Sequence, residues 1–146
     1  MSVGQFVFML HSHLPYYRKA GMWPFGEENL YECMAETYVP LLNAISELYD
    51  EGIKAKLTVG ITPILAEQLN DEHLKNGFVE YLDSRIKSVA KDLDRYPDPK
   101  VPHSQHLKYL AKYYYDWFNN IKDSFVNKYG MDLISAFKKY QDLGCI

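Results

Sequence analysis

The sequence predicts an α/β fold, with two parallel strands followed by a mostly helical segment, as in the opening portion of a larger barrel. Three observations carry this. The apolar run Phe6-Val-Phe-Met-Leu10 is rich in β-formers, as a strand buried on both faces would be. A second β-forming stretch, Ala55 to Ile61, follows a helical region and leads into another, and this βαβα order implies a parallel pair with a right-handed crossover. Beyond residue 70 the apolar residues keep helical spacing almost to the end of the chain.

Each element has its own signals. Glu27 and Glu28 suit the start of a helix, where acidic side chains meet the positive end of the dipole. Leu30, Met34, Leu41, Ile45 and Leu48 continue a stripe to about Tyr49. Pro40 interrupts it, so a short helix to about Thr37 and a second from about Tyr38 are expected, with Pro40 in the second one's first turn. Gly52 closes that helix as its left-handed residue. Thr62-Pro63 then reads as a capping threonine followed by proline at the first helical position, which makes Thr62 a cap before it is a pocket residue.

Asn70 or Asp71 caps the next helix, whose Leu74, Phe78, Leu82, Ile86, Val89 and Leu93 follow steps of three and four. Tyr96-Pro-Asp-Pro-Lys-Val-Pro102 is a stiff break. Ser104 opens a further helix carrying Tyr113-Tyr-Tyr-Asp-Trp-Phe118, a bulky cluster expected to pack in the core. Gly130 ends it, Asp132 caps another, and Gly144 closes that one. Cys145-Ile146 has the look of the first residues of a third strand.

Composition fits one unit spanning residues 1–146 and excludes several classes of function. A formal charge of −3 gives no basic footprint for nucleic acid. The first apolar run is too short for a membrane span or a signal segment, and no later one approaches about 20 apolar residues. Cys33 and Cys145 form no CxxC pair, so reduced thiols and a cytoplasmic location are expected. No cofactor is called for.

The candidate site lies at the end of the first strand. His11 and His13 are two apart, so an extended backbone through Ser12 would point both to one side. Pro15 stops the strand, and loops at the carboxyl ends of strands are where ligand groups gather in α/β folds. Tyr16 and Trp23 follow, the latter in the turn-rich stretch Lys19-Ala-Gly-Met-Trp-Pro-Phe-Gly26. Aromatic side chains placed there suit stacking on a sugar ring, or they plug the core below. The histidines also admit two other roles, as hydrogen-bonded structural residues or as the start of a metal site. Zinc needs three or four ligands, and His73, His103 and His106 are not in strand-end positions.

These residues carry a resemblance. His11-Ser-His-Leu-Pro-Tyr16, Trp23-Pro-Phe-Gly-Glu27, Leu30-Tyr-Glu, Glu36-Thr-Tyr-Val-Pro-Leu-Leu42 and Thr62-Pro-Ile-Leu-Ala-Glu-Gln-Leu69 resemble the start of glycoside hydrolase family 57, in particular its 1,4-α-glucan branching group. The family's His-x-Pro motif falls on His13-Leu14-Pro15. Relatives outside the branching group often have His-Gln-Pro, so Leu14 with the preceding His11 favours that group.

The resemblance implies the N-terminal part of a (β/α)7 barrel that acts on α-1,4-glucans with retention and forms α-1,6 branches in glycogen-like polymers. It also implies a Glu nucleophile near the fourth strand and a later Asp acid/base. None of the 19 acidic residues lies in such a motif, so no catalytic residue is expected in residues 1–146. On this view His11, His13, Tyr16 and Trp23 are substrate-binding residues, no metal is bound, and the chain alone is inactive. The alternatives are a metal-dependent hydrolase built on His11 and His13, and a binding domain without catalysis.

Overall fold

The structure, a computed structural model, describes residues 3, 4 and 6–146. Strand β1 (Met9–Ser12) pairs in parallel with β2 (Thr58–Ile61), as the βαβα order requires, and sets His11 beside Gly60. Helix dominates the rest of the chain. Between the strands run α1 (Glu27–Cys33), a π-helical turn (Met34–Tyr38) and α2 (Val39–Asp50). After β2 come α3 (Pro63–Asn70), α4 (Glu72–Arg95), α5 (Ser104–Asp123), a second π-helical turn (Ser124–Lys128) and α6 (Leu133–Asp142).

The first strand differs from expectation in place and in burial. The pairing begins near Phe8, whose carbonyl accepts from Thr58 N–H, and continues to Ser12, so His11 lies within the strand rather than after it. Phe6, Val7 and Phe8 are exposed, Phe6 by 90%. A doubly buried strand needs a neighbour on each side and helices over both faces. Among the described residues β1 has β2 alone as a paired strand. The second strand is likewise shorter than the Ala55–Ile61 stretch, although Leu57 N–H reaches the Cys145 carbonyl at 3.1 Å.

Residues 27–50 form one continuous helix, not the two expected. Pro40 has no N–H, and its ring would meet the carbonyl four residues back. The chain answers by widening the turn just before it. Val39 N–H bonds Met34 O, a five-residue step, and the α-helical ladder resumes beyond the proline. Thr62 also departs from expectation. Its backbone is extended and Pro63 follows at the first helical position, yet its side chain makes no capping bond and its buried Oγ1 has no partner among the described residues. Asp71 and Asp132 do cap α4 and α6, accepting from Leu74 and Ser135 N–H.

The core joins α1, α2, α3, α6, the first half of α4 and the end of α5. Phe78 is fully buried there, edge-on to Phe125 at 4.8 Å and against Tyr31 at 6.1 Å. The outer halves of α4 and α5 pair mainly with each other among the described residues, and on α5 only Ser104, Ala111 and Ile121 are buried. The Tyr113–Phe118 cluster therefore divides: Trp117 and Phe118 are half-buried against the core, as expected, and Tyr113 and Tyr114 are not core. Tyr113 and Tyr114 are half exposed, and the rings stack along the helix, Tyr113 on Trp117 and Tyr114 on Phe118.

Phe78→Ala is expected to cost about 3–5 kcal/mol, the usual range for removing a buried ring. Urea unfolding checks this, and the midpoint should fall while the slope stays constant.

Candidate functional site

The site is built on the carboxyl end of β1 and the loop from His13 to Gly26. His11 lies over β2 because its register partner has no side chain. A Cβ at Gly60 would stand 3.2 Å from His11 Nδ1, a tight contact for an imidazole. His11 and His13 are both exposed, as are Tyr16 by 60% and Trp23 by 79%. Ser12 between the histidines hydrogen-bonds Tyr38, whose hydroxyl is pushed up to about 12, chiefly by burial. The four predicted residues thus share one strand end and its loop. Among the described residues no hydrogen bond or ring contact joins any two of them.

What the sequence reading missed is how firmly the loop is held. Gln68, fully buried on α3, takes the Tyr17 N–H on its Oε1 at 2.6 Å and gives its amide to the Pro15 carbonyl at 2.9 Å. Arg18 Nε donates to Asp71 Oδ2 at 2.6 Å. Burial works to raise the Asp71 carboxyl, but the Arg18 guanidinium and the Leu74 N–H outweigh it and hold it below the ordinary range. Lys19 N–H donates to Glu27 Oε1 at 2.6 Å. The loop also closes on the first turn of α1, where the Gly21 and Met22 carbonyls accept from Glu27 and Glu28 N–H. A Cβ at Gly26 would overlap the Gly21 carbonyl, so only glycine fits that N-cap.

Glu27 is the centre of this bracing. Expected to be an ordinary helix-start residue, it is instead 6% exposed. Its carboxylate accepts from Lys19 N–H, stands 2.8 Å from His73 Nε2 and accepts from the Tyr31 hydroxyl at 3.0 Å. Burial alone would raise its pKa. The bonds from Lys19, His73 and Tyr31 outweigh that and lower it. The Tyr31 hydroxyl that meets Glu27 one turn back on α1 also lies hard against α4 at Gly77, where a Cβ would overlap it. Burial, with Glu27 close by, drives the Tyr31 hydroxyl well above its ordinary range. The legible signal was Gly77, since an interior helix glycine often marks a close approach.

Glu28 behaves differently from its neighbour. It pairs with Arg85, whose guanidinium also lies over the Tyr81 ring at 4.8 Å, beside a groove of about 260 Å³ that includes Met22. As for a metal, no group of three or more His, Cys, Asp or Glu able to hold one exists among the described residues, so His11 and His13 have no third ligand there. Among the described residues no helix is long and apolar enough to cross a membrane.

Comparison with known proteins covers almost the whole chain. Residues 7–146 match glycosyl hydrolase family 57. The 1,4-alpha-glucan branching enzyme TK1436 of Thermococcus kodakarensis is 39% identical over 145 residues, which is 98% of this chain and 20% of that protein. The GH57-type branching enzyme of Pyrococcus horikoshii superposes with a TM-score of 0.86 at 37% identity, over 94% of this chain and 25% of that one. The alpha-amylase AmyC of Thermotoga maritima gives 0.80 at 30%, over the same 94% and again 25%. The chain thus spans a fifth to a quarter of the length of these relatives.

Two outcomes follow from the bracing. Gly77→Ala adds a better helix former, a gain of about 1 kcal/mol, but forces Tyr31 from its seat, an overpacking cost of about 1–3 kcal/mol. A net loss of stability is expected in urea unfolding, and Tyr31→Phe, which removes the overlapping oxygen, should recover part of it. Acid should also weaken the fold. Because the folded pKa of Glu27 lies below its ordinary value of 4.5, its contribution is present above that value and lost as the pH falls through the lower one. Comparing urea midpoints near neutrality and at about pH 3 should give a smaller drop for Glu27→Gln than for the natural sequence.

Proposed function

Because this chain belongs to glycosyl hydrolase family 57, we propose that it forms the substrate-positioning part of an α-1,4-glucan branching enzyme. Its two parallel strands and their helices are the N-terminal part of the family's (β/α)7 barrel. In this reading the whole enzyme moves a glucan segment to form an α-1,6 branch in a glycogen-like polymer. His11, His13, Tyr16 and Trp23 hold the donor sugars. Reduced Cys33 and Cys145 are compatible with work in the cytoplasm.

The observation that carries this reading is a loop pinned by its backbone at Pro15, Tyr17 and Lys19 and by the Arg18 side chain, while Tyr16 and Trp23 remain exposed. A recognition surface gains from that combination, since ordering the loop before the ligand arrives removes an entropic cost from binding. An aromatic face and a nearby imidazole donor then suit a sugar ring and its hydroxyls.

The division of labour follows from the acidic residues. Retaining transfer needs two carboxyl groups about 5–5.5 Å apart, one as nucleophile and one as acid and base. Glu27 is the buried carboxylate nearest the loop, and its oxygens are already occupied by Lys19, His73 and Tyr31. It is therefore unsuited to attack a sugar. The reacting carboxylates come from other parts of the complete barrel, and residues of this chain hold the substrate against them.

A graft tests the role of His13. Residues 1–146 would replace the matching residues of the Thermococcus enzyme, and branching of amylose would be measured with and without His13→Ala. Loss of a positioned donor should lower turnover by roughly 10²-fold or more with little change in melting temperature. A structural histidine would give the reverse, a lowered melting temperature and near-normal turnover per folded molecule.

A further inference from the structure

A carboxylate in the first turn of a helix usually faces solvent and complements the dipole. Glu27 turns away from solvent and takes its bonds from three different parts of the chain: Lys19 in the loop, Tyr31 on α1 and His73 on α4. The place it holds in the loop is special. Lys19 adopts φ 60 and Gly21 φ 86, and a non-glycine residue keeps a positive φ only where its surroundings over-determine it. This turn lies midway between Tyr16 and Trp23, so the point that Glu27 grips is the bend that sets how far apart the two rings stand.

We propose that Glu27 is a positioning residue for glucan recognition, fixing through the Lys19 N–H the separation and tilt of Tyr16 and Trp23. His73 completes the latch from α4, and Gly77 makes room for the tyrosine that supports it. The inference rests on the glucan reading above, but it assigns a role to residues that touch no sugar. Side-chain tethers from Gln68 and Asp71 hold the loop on the Tyr16 side of the bend, whereas beyond it the loop is held by the Gly21 and Met22 carbonyls on the first turn of α1, so removing the Glu27 side chain should loosen the bend and free Trp23 more than Tyr16.

The test reads loop order and substrate affinity separately. The chain has two tryptophans, so Trp117→Phe leaves Trp23 as the sole reporter. In that background Glu27→Ala should lower the fluorescence anisotropy of Trp23 without added ligand. In the grafted enzyme, Glu27→Ala should raise KM for amylose by roughly tenfold and change kcat less. Glu27→Gln, whose amide oxygen can still accept from Lys19, should restore most of the affinity, and His73→Ala should fall between. If Glu27→Ala does not fold, the glutamine and His73 variants are judged by the same two readings. Unchanged anisotropy and KM in the folded Glu27 or His73 variants, with KM raised by Trp23→Ala, would overturn this proposal alone. If Trp23→Ala also leaves KM unchanged, the glucan reading falls and this proposal with it.

Discussion

The buried Glu27 carboxylate is the interaction on which the arrangement of the candidate site depends. Taking a carboxylate out of water costs several kcal/mol, and hydrogen bonds to a charged group return about 1.5–3 kcal/mol each. Three such bonds are of the same size as the penalty. The lowered pKa of Glu27 indicates that the bonds win for the ionised form. With Lys19, Tyr31 and His73 all pointing at one group, the loop, α1 and α4 can meet in few other ways.

The order of cause runs from a small residue outward. Gly77 leaves room on α4 for the Tyr31 hydroxyl, that hydroxyl bonds Glu27, and Glu27 holds the turn at Lys19. Gln68 and Asp71 hold the first half of the same loop from the junction of α3 and α4. The strands contribute less to the core than the helices, and their role is to aim. Parallel pairing brings His11 over Gly60 and delivers Ser12 and His13 to the edge where the braced loop begins.

The sequence made the large elements legible because they rest on local rules. Helical periodicity, the Pro63 and Asp71 starts, the Gly52 and Gly144 stops and the βαβα order all survive in the structure. What escaped depends on groups far apart in the chain. The acidic start of α1 has a sufficient local explanation in the dipole, which hid the bond from Glu27 to His73, 46 residues away. The π-helical turn before Pro40 was misread as a break, since a proline can be absorbed by widening a helix as well as by ending it. Apolar character misled twice, at Phe6–Phe8 and at Tyr113–Tyr114, because it reports what could be buried and not whether a covering layer is present. His11, His13, Tyr16 and Trp23 lie in β1 and the loop after it, a placement the sequence makes legible, but the bracing of that loop is not.

Amide hydrogen exchange of the loop tests this account most directly. If Gln68 and Glu27 hold the backbone as described, the N–H groups of Tyr17 and Lys19 will be protected like those of the neighbouring helices, and Glu27→Ala will release Lys19 while leaving Tyr17 protected. Exchange of both at the rate of an open loop in the natural sequence would contradict it.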